Sequence, residues 1–127
     1  MKKVLLSIIA AVCCFTASAV GTKPTAGDGS KASPYQIATL ENLLWFADYV
    51  NNTNDNASAC AILTSDIIMN TNVLNSSGNL NSDNTFTAWT RIGGHGVDYS
   101  GEFNGNGHTI SGLYFQICSS HCFVDLL

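Results

Sequence analysis

Hydrophobic periodicity predicts one helix that begins at residue 40. Five apolar side chains recur at the i, i+3, i+4, i+7 and i+10 spacing of a single helical stripe: Leu40, Leu43, Leu44, Ala47 and Val50. Thr39 precedes the stripe and fits the N-cap position. The polar run 51–56 ends the pattern, because short polar side chains compete for backbone hydrogen bonds and tolerate turn geometry.

The rest of the chain reads as short strands separated by turns. The strand candidates are residues 35–37, 60–64, 67–69, 89–92, 99–103 and 108–115. Residues 70–86 are mostly polar and predict a surface loop whose length indicates an insertion. The strand candidates leave no room for crossover helices, which excludes a doubly wound α/β sheet. They favour a hairpin-built β domain or a β-solenoid.

The N-terminus carries the pattern of an export signal. Lys2 and Lys3 precede an apolar stretch, and small residues at Ala17 and Ala19 fit a cleavage site after residue 19. A membrane-spanning helix needs about 20 apolar residues, and this apolar stretch is shorter. We therefore interpret 1–19 as a signal peptide, 20–33 as a flexible leader and 34–115 as the folded region. Residues 116–127 form an atypical tail.

The net negative charge of the chain argues against one class of partner, nucleic acids. The chain has nine acidic and five basic residues, a net charge of −4. Two of the basic residues lie in the signal, so the mature chain carries −6, from three basic and nine acidic groups. Nucleic-acid binding depends on basic residues that neutralise phosphates, and this composition argues against it. No later stretch is long and apolar enough to span a membrane.

Candidate catalytic groups are few. His95 and His108, with the carboxylates of Asp66, Asp98 and Glu102, are the residues from which an acid/base set or a calcium site could be built. A lyase would also need basic residues to hold an acidic sugar, and this region offers Arg91 alone. We therefore interpret these groups as solvated turn residues and assign no catalytic residue.

Neither a metal nor a cofactor is expected. The mature chain has three cysteines, Cys60, Cys118 and Cys122, so at most one intrachain disulfide can form. Cys118 and Cys122 with His121 do not complete a four-coordinate zinc site. The Gly105-x-Gly107 phrase has Ile110 where a dinucleotide-binding motif has its third glycine.

Aromatic residues leave two readings open. Trp45, Phe46 and Tyr49 lie on the predicted helix, where they are either core residues, the favoured reading, or an exposed platform for sugar stacking. Trp89 and Tyr99 carry the same ambiguity.

An ordered series of blocks resembles a known family. These blocks are 27–30 with 34–37, the helix 43–50, then 61–67, 89–93 and 99–113. Together they look like the opening of bacterial secreted and surface proteins with GLUG-type repeats. The resemblance implies a mainly β fold: the start of a right-handed parallel β-helix of pectate-lyase-like shape, with the amphipathic helix as its N-terminal cap.

The end of the chain departs from this pattern. Residues 123–127 stand where the family continues into further repeats, and Asp125 takes the place of a glycine. We expect about one or two coils, fewer than the about three repeats that a solenoid needs to bury a continuous core. This predicts a truncated fragment of a longer protein, or a chain that self-associates through an open coil end.

These observations predict an exported, non-enzymatic adhesion or display module, either secreted or on the cell surface. Its expected partners are glycans or host and cell-surface proteins. The alternative is a carbohydrate-binding or polysaccharide-degrading β-helix protein, which an aromatic-lined groove with clustered polar groups would favour.

Overall fold

The computed structural model describes residues 21–82, 85–94 and 96–115. The order of elements is β1 (Tyr35–Ile37), α1 (Leu40–Asn52), a short 3₁₀ helix (Asn54–Asn56), β2 (Ala61–Leu63), β3 (Ile67–Ile68), β4 (Phe103–Asn104) and β5 (Ile110–Ser111). None of the helices in these ranges has the length and apolar character required to cross a bilayer. The proposed signal peptide and the tail 116–127 lie outside the described residues.

The predicted helix is confirmed, together with its cap. Helix α1 begins at Leu40, and the Thr39 side chain accepts a hydrogen bond from the Asn42 backbone N–H at 3.2 Å. The Asn42 side chain in turn accepts from the Ala38 N–H at 3.3 Å and donates to the Thr22 carbonyl at 2.9 Å. These hydrogen bonds connect the first turn of α1 to residues 38–39, directly before it, and to Thr22, farther back in the chain.

Replacing Thr39 by alanine removes this cap. We expect the free energy of unfolding to fall by about 1 kcal/mol, the usual cost of an N-cap deletion. Thr39 is exposed, so little apolar burial is lost with it. Urea unfolding of Thr39→Ala measures the effect, and Thr39→Ser, which keeps the accepting oxygen, is the matched control. A serine variant as unstable as the alanine variant would contradict the capping role.

Two small parallel sheets contain all five strands. In the first, β2 lies between β1 and β4, with Tyr35 opposite Ala61 and Ala61 opposite Phe103. In the second, β3 pairs with β5. Side chains alternate along β1 and β2, so that Tyr35, Ile37, Ala61 and Leu63 are buried.

Helix α1 and the sheets share one core. The helix buries Leu43, Phe46, Ala47 and Val50 among the inward side chains of β1 and β2. Two of the aromatic residues whose role the sequence leaves open, Trp89 and Tyr99, pack against this core as half-buried rings. The Tyr99 hydroxyl donates to the Ala59 carbonyl at 3.0 Å, and burial raises the pKa of Tyr99 to about 12.

The predicted fold class is wrong. Within the described residues the five strands contain 12 residues and α1 contains 13, so the chain is not mainly β. Strands of two or three residues in sheets of three and two strands do not form a coiled β-helix. The helix is therefore part of the common core, and its predicted role as cap of a β-helix is also wrong.

The physical reason lies in the turns that interrupt the strand candidates. The candidate 89–92 forms no strand, only Phe103 of the candidate 99–103 lies in a strand, and the candidate 108–115 is reduced to the two residues Ile110–Ser111. Gly93, which directly follows the candidate 89–92, and Gly112, within the candidate 108–115, adopt φ of 78° and 72°, which extended strands do not contain. The segment 70–82 is mostly exposed, as predicted, and its Leu74 and Leu80 form an isolated antiparallel bridge.

Candidate functional site

Two of the candidate acid/base residues lie together. His108 Nδ1 is 3.3 Å from Asp66 Oδ1, and the same oxygen accepts the Thr109 backbone N–H at 2.9 Å. The Thr109 N–H, and more weakly His108, hold the pKa of the Asp66 carboxyl below its ordinary value. Asp66 precedes β3 and Thr109 precedes β5, so this contact joins the two strands of the second sheet at their starts.

The other candidates lie elsewhere. Glu102 Oε2 is 3.6 Å from Lys31 Nζ, in an exposed ion pair. Asp98 is exposed, Arg91 is exposed at the segment facing α1, and His95 lies outside the described residues. The structure therefore brings Asp66 and His108 together and leaves Asp98 and Glu102 apart from them. This arrangement supports a structural role for the Asp66–His108 pair.

The lowered pKa of Asp66 predicts a pH dependence of stability. A carboxyl whose folded-state pKa is depressed stabilises the fold above its unfolded-state pKa of about 4 and loses this contribution as the pH falls through the folded-state pKa. We expect Asp66→Asn to be less stable than the parent near neutral pH, and the difference to vanish in acid. Thermal unfolding across the acid range measures it.

Asp98→Asn is the matched control for this experiment. Asp98 is also an exposed carboxylate, and its side chain forms no hydrogen bond with the described residues. We expect this variant to follow the acid unfolding profile of the parent. If Asp66→Asn also follows the parent profile, the linkage between Asp66 and the two strands is excluded.

Cysteine and metal chemistry receive no support from the described part of the chain. Cys60 is buried with a free thiol, and Cys118 and Cys122 lie outside the described residues. Among the residues described, no group of three or more His, Cys, Asp or Glu side chains is placed to hold a metal ion.

The aromatic residues of α1 divide into two roles. Phe46 is completely buried, as the favoured reading predicted, whereas Trp45 and Tyr49 are half-buried. The rings of Trp45 and Tyr49 stack with their centroids 4.7 Å apart and an interplanar angle of 18°. Tyr35 meets both rings edge-on, with centroid distances of 5.1 Å and 5.7 Å.

Polar contacts support this aromatic group. Hydrogen bonding with Tyr35 raises the pKa of the Tyr49 phenol, and burial adds to the effect. Lys23 Nζ lies 5.7 Å from the Tyr35 ring centroid and 5.9 Å from that of Trp45, within the range of a cation–π interaction. The ring pair is thus supported by Tyr35 from β1 and by Lys23 from the segment before β1.

A solvent-open cavity of about 560 Å³ lies beside the stacked rings. It is lined by Trp45, Asp48, Tyr49, Asn51, Asn52 and Thr90. The Asn51 side chain donates to the Arg91 carbonyl at 2.8 Å and accepts the Gly93 N–H at 2.9 Å. These two bonds fix the 90–93 segment against the helix and so place Thr90 at the cavity.

A second cavity, of about 540 Å³, lies near residues 68–72 and 85–86. One of its polar side chains, that of Asn70, is committed to the fold. Asn70 Nδ2 donates to the carbonyls of Thr87 and Gly112 at 2.9 Å and 2.8 Å, and Asn70 Oδ1 accepts the Thr87 N–H at 2.7 Å. The cavity beside the stacked rings is therefore the better candidate site.

Sequence reasoning offers the rings of Trp45 and Tyr49 as an alternative platform, with core residues favoured, and does not include the polar groups of this site. Trp45, Asp48, Tyr49 and Asn52 follow the i, i+3, i+4, i+7 rule, so a second stripe on the helix was visible in the sequence. The contact between Asn51 and residues 91–93 joins positions 40 or more apart in the chain and leaves no local signal.

Comparison with protein-family models, curated proteins and solved structures gives no match. The resemblance to GLUG-type proteins therefore stays a prediction, and the functional argument depends on the chain's own residues.

Proposed function

We propose that the chain is an exported, non-enzymatic module that acts by binding at the cell surface or in the secreted fraction. The observation that carries this proposal is the open cavity beside Trp45 and Tyr49. Its rim holds the polar side chains of Asp48, Asn52 and Thr90, all exposed and without hydrogen-bond partners among the described residues. An aromatic wall with a few uncommitted polar groups is typical of a ligand site.

The distribution of carboxylates supports binding over polysaccharide degradation. Glycoside hydrolysis generally uses two carboxyl groups that flank the bond being broken. The lining of the cavity has one carboxylate, Asp48. Asp66 and Glu102 are engaged with Thr109 and Lys31 and do not line the cavity.

Export is supported by the N-terminal sequence. Lys2 and Lys3, the apolar stretch and the small residues before position 20 fit a signal peptide. Once exported, the mature chain would present an acidic surface, with a net charge of −6 from three basic and nine acidic groups.

Expression of the full chain in a bacterial host tests the proposal. We expect Val20 as the new N-terminus, and labelling of intact cells or recovery from the medium. Ala19→Arg should block processing and serves as the control. Unprocessed parent chain confined to the cytoplasm would contradict export. Shortened products after incubation of the purified chain with oligosaccharides would contradict a non-enzymatic role.

A further inference from the structure

The cavity beside α1 combines two aromatic side chains with hydrogen-bonding groups on one face of a helix. Trp45 and Tyr49 contribute the aromatic side chains, and Asp48 and Asn52 lie on the same helical face, three residues after each ring. Thr90 adds a hydroxyl from the opposite segment. The site therefore presents apolar and polar surface side by side.

The three polar groups complement one another chemically. An ionised Asp48 accepts hydrogen bonds, whereas Asn52 and Thr90 both donate and accept. None of the three forms a hydrogen bond with the described residues, so a ligand would not have to break a bond within the chain to use them. A ligand with several adjacent hydroxyl groups satisfies all three.

The walls are preorganised. The Trp45–Tyr49 stack is braced by Tyr35, and the segment that carries Thr90 is held by the two Asn51 hydrogen bonds. A fixed wall lowers the entropy lost on binding, which is the main cost for a weakly bound surface ligand.

We infer that this cavity binds one pyranose unit of a neutral glycan. The inference deepens the proposed function and rests on it. The C–H bonds of a pyranose ring present an apolar surface, which can pack against the aromatic side chains of Trp45 and Tyr49 that line the cavity. The vicinal hydroxyls of the same ring can bond to Asp48, Asn52 and Thr90.

Charge selects a neutral sugar over an acidic one. The residues that line the cavity include one carboxylate and no Lys or Arg, and Lys23, which lies near Trp45, is engaged with the rings of Tyr35 and Trp45. A uronic acid would place its carboxylate near Asp48, and like charges repel. The excess of nine acidic over three basic residues in the exported chain opposes an acidic polysaccharide as well.

Calorimetric titration of the purified exported chain tests this inference. The probes are hexasaccharides of glucose, mannose, galactose, xylose and N-acetylglucosamine, with hexagalacturonate as the acidic counterpart. We expect at least one neutral probe to bind more tightly than hexagalacturonate. No binding of any neutral probe at about 10 mM, where a ligand of millimolar Kd occupies most sites, overturns the inference. Preferential binding of hexagalacturonate overturns it too.

The site is located by a pair of double variants. Asp48→Ala with Asn52→Ala removes two of the polar groups, and we expect the Kd to rise about tenfold or more. Asp98→Ala with Asn54→Ala removes the same chemical groups from exposed positions outside the cavity, and we expect an unchanged Kd. Equal effects of the two pairs would overturn the assignment.

Folding is controlled independently. The altered side chains are exposed, so both double variants should unfold at temperatures close to that of the parent. In an ¹⁵N-labelled sample, the indole resonance of Trp45 should shift on addition of the neutral sugar. An unshifted Trp45 resonance with measurable binding would place the sugar elsewhere and overturn the assignment.

The two levels of the proposal fail separately. A processed chain outside the cytoplasm that binds no neutral hexasaccharide leaves the proposed function intact and removes the sugar assignment. A chain that stays unprocessed in the cytoplasm removes the proposed function, whatever its sugar affinity in solution.

Discussion

Replacement of Phe46 by alanine is expected to lower the free energy of unfolding by about 3–5 kcal/mol. Phe46 is fully buried, and its ring is close to three other rings, with centroid distances of 6.3 Å to Tyr35, 6.3 Å to Tyr99 and 5.8 Å to Phe103. These rings come from β1, the loop before β4, and β4 itself. The cavity left by the deletion therefore lies where helix and sheet meet.

This fall in the free energy of unfolding is large, because folded proteins are usually more stable than their unfolded states by only about 5–15 kcal/mol. Urea unfolding followed by circular dichroism measures it. Phe115→Ala is the matched control, because the same atoms are removed from a side chain that is 57% exposed. We expect that control to change stability by no more than about 0.5 kcal/mol.

A second substitution keeps the test informative if Phe46→Ala does not fold. Phe46→Leu retains most of the apolar volume and should lie between the parent and the alanine variant. If Phe46→Ala and Phe115→Ala proved equally mild, Phe46 would not be the centre of the core.

The helix was predictable because its signals are local. Its apolar spacing, the Thr39 cap and the polar stop at 51–56 all fall within about five turns of chain. The structure begins α1 at Leu40, as predicted, and buries the stripe that includes Leu43 and Val50. A helix satisfies its backbone hydrogen bonds within one segment, so its bounds need little information from elsewhere.

The sheets were less predictable because their strands depend on distant partners. Residues 35–37 were predicted correctly, and 60–64 and 67–69 were nearly so. The candidate 108–115, however, forms a strand only at Ile110–Ser111, where β3 offers a partner. A run that looks extended becomes a strand only where another strand pairs with it, and a short alternating pattern does not contain that information.

The candidate site also combines features with a local sequence signal and features that depend on distant contacts. The sequence allows a sugar-stacking platform at Trp45 and Tyr49, but their place on an amphipathic helix favours core residues. Their cavity exists because Asn51 holds the Arg91 carbonyl and the Gly93 N–H, a contact between segments that nothing in the local sequence relates. Sequence reasoning thus offers Trp45 and Tyr49 only as the less favoured alternative to core residues, and it could not place the segment that carries Thr90.

The second substitution with a large expected effect on stability is at Gly112, where the ends of β3 and β5 meet. Gly112 directly follows β5 and has a φ of 72°, and a Cβ built on it would run into the Asn70 backbone, with the carbonyl oxygen nearest. The Gly112 carbonyl also accepts the Asn70 side chain at 2.8 Å. Asn70 further holds Thr87 through two hydrogen bonds, so this position joins three segments.

Gly112→Ala is therefore expected to lower the free energy of unfolding by about 3 kcal/mol or more, combining left-handed strain with backbone displacement. Gly107→Ala is the matched control, since Gly107 has a φ of 76° and nothing lies within 4 Å of its added Cβ. For that variant the free energy of unfolding should fall by only about 1–2 kcal/mol, the cost of left-handed strain. Urea unfolding of both variants separates the two causes. Equal losses would show that the contact with Asn70 yields without cost, and that the backbone at the end of β5 can move away from β3.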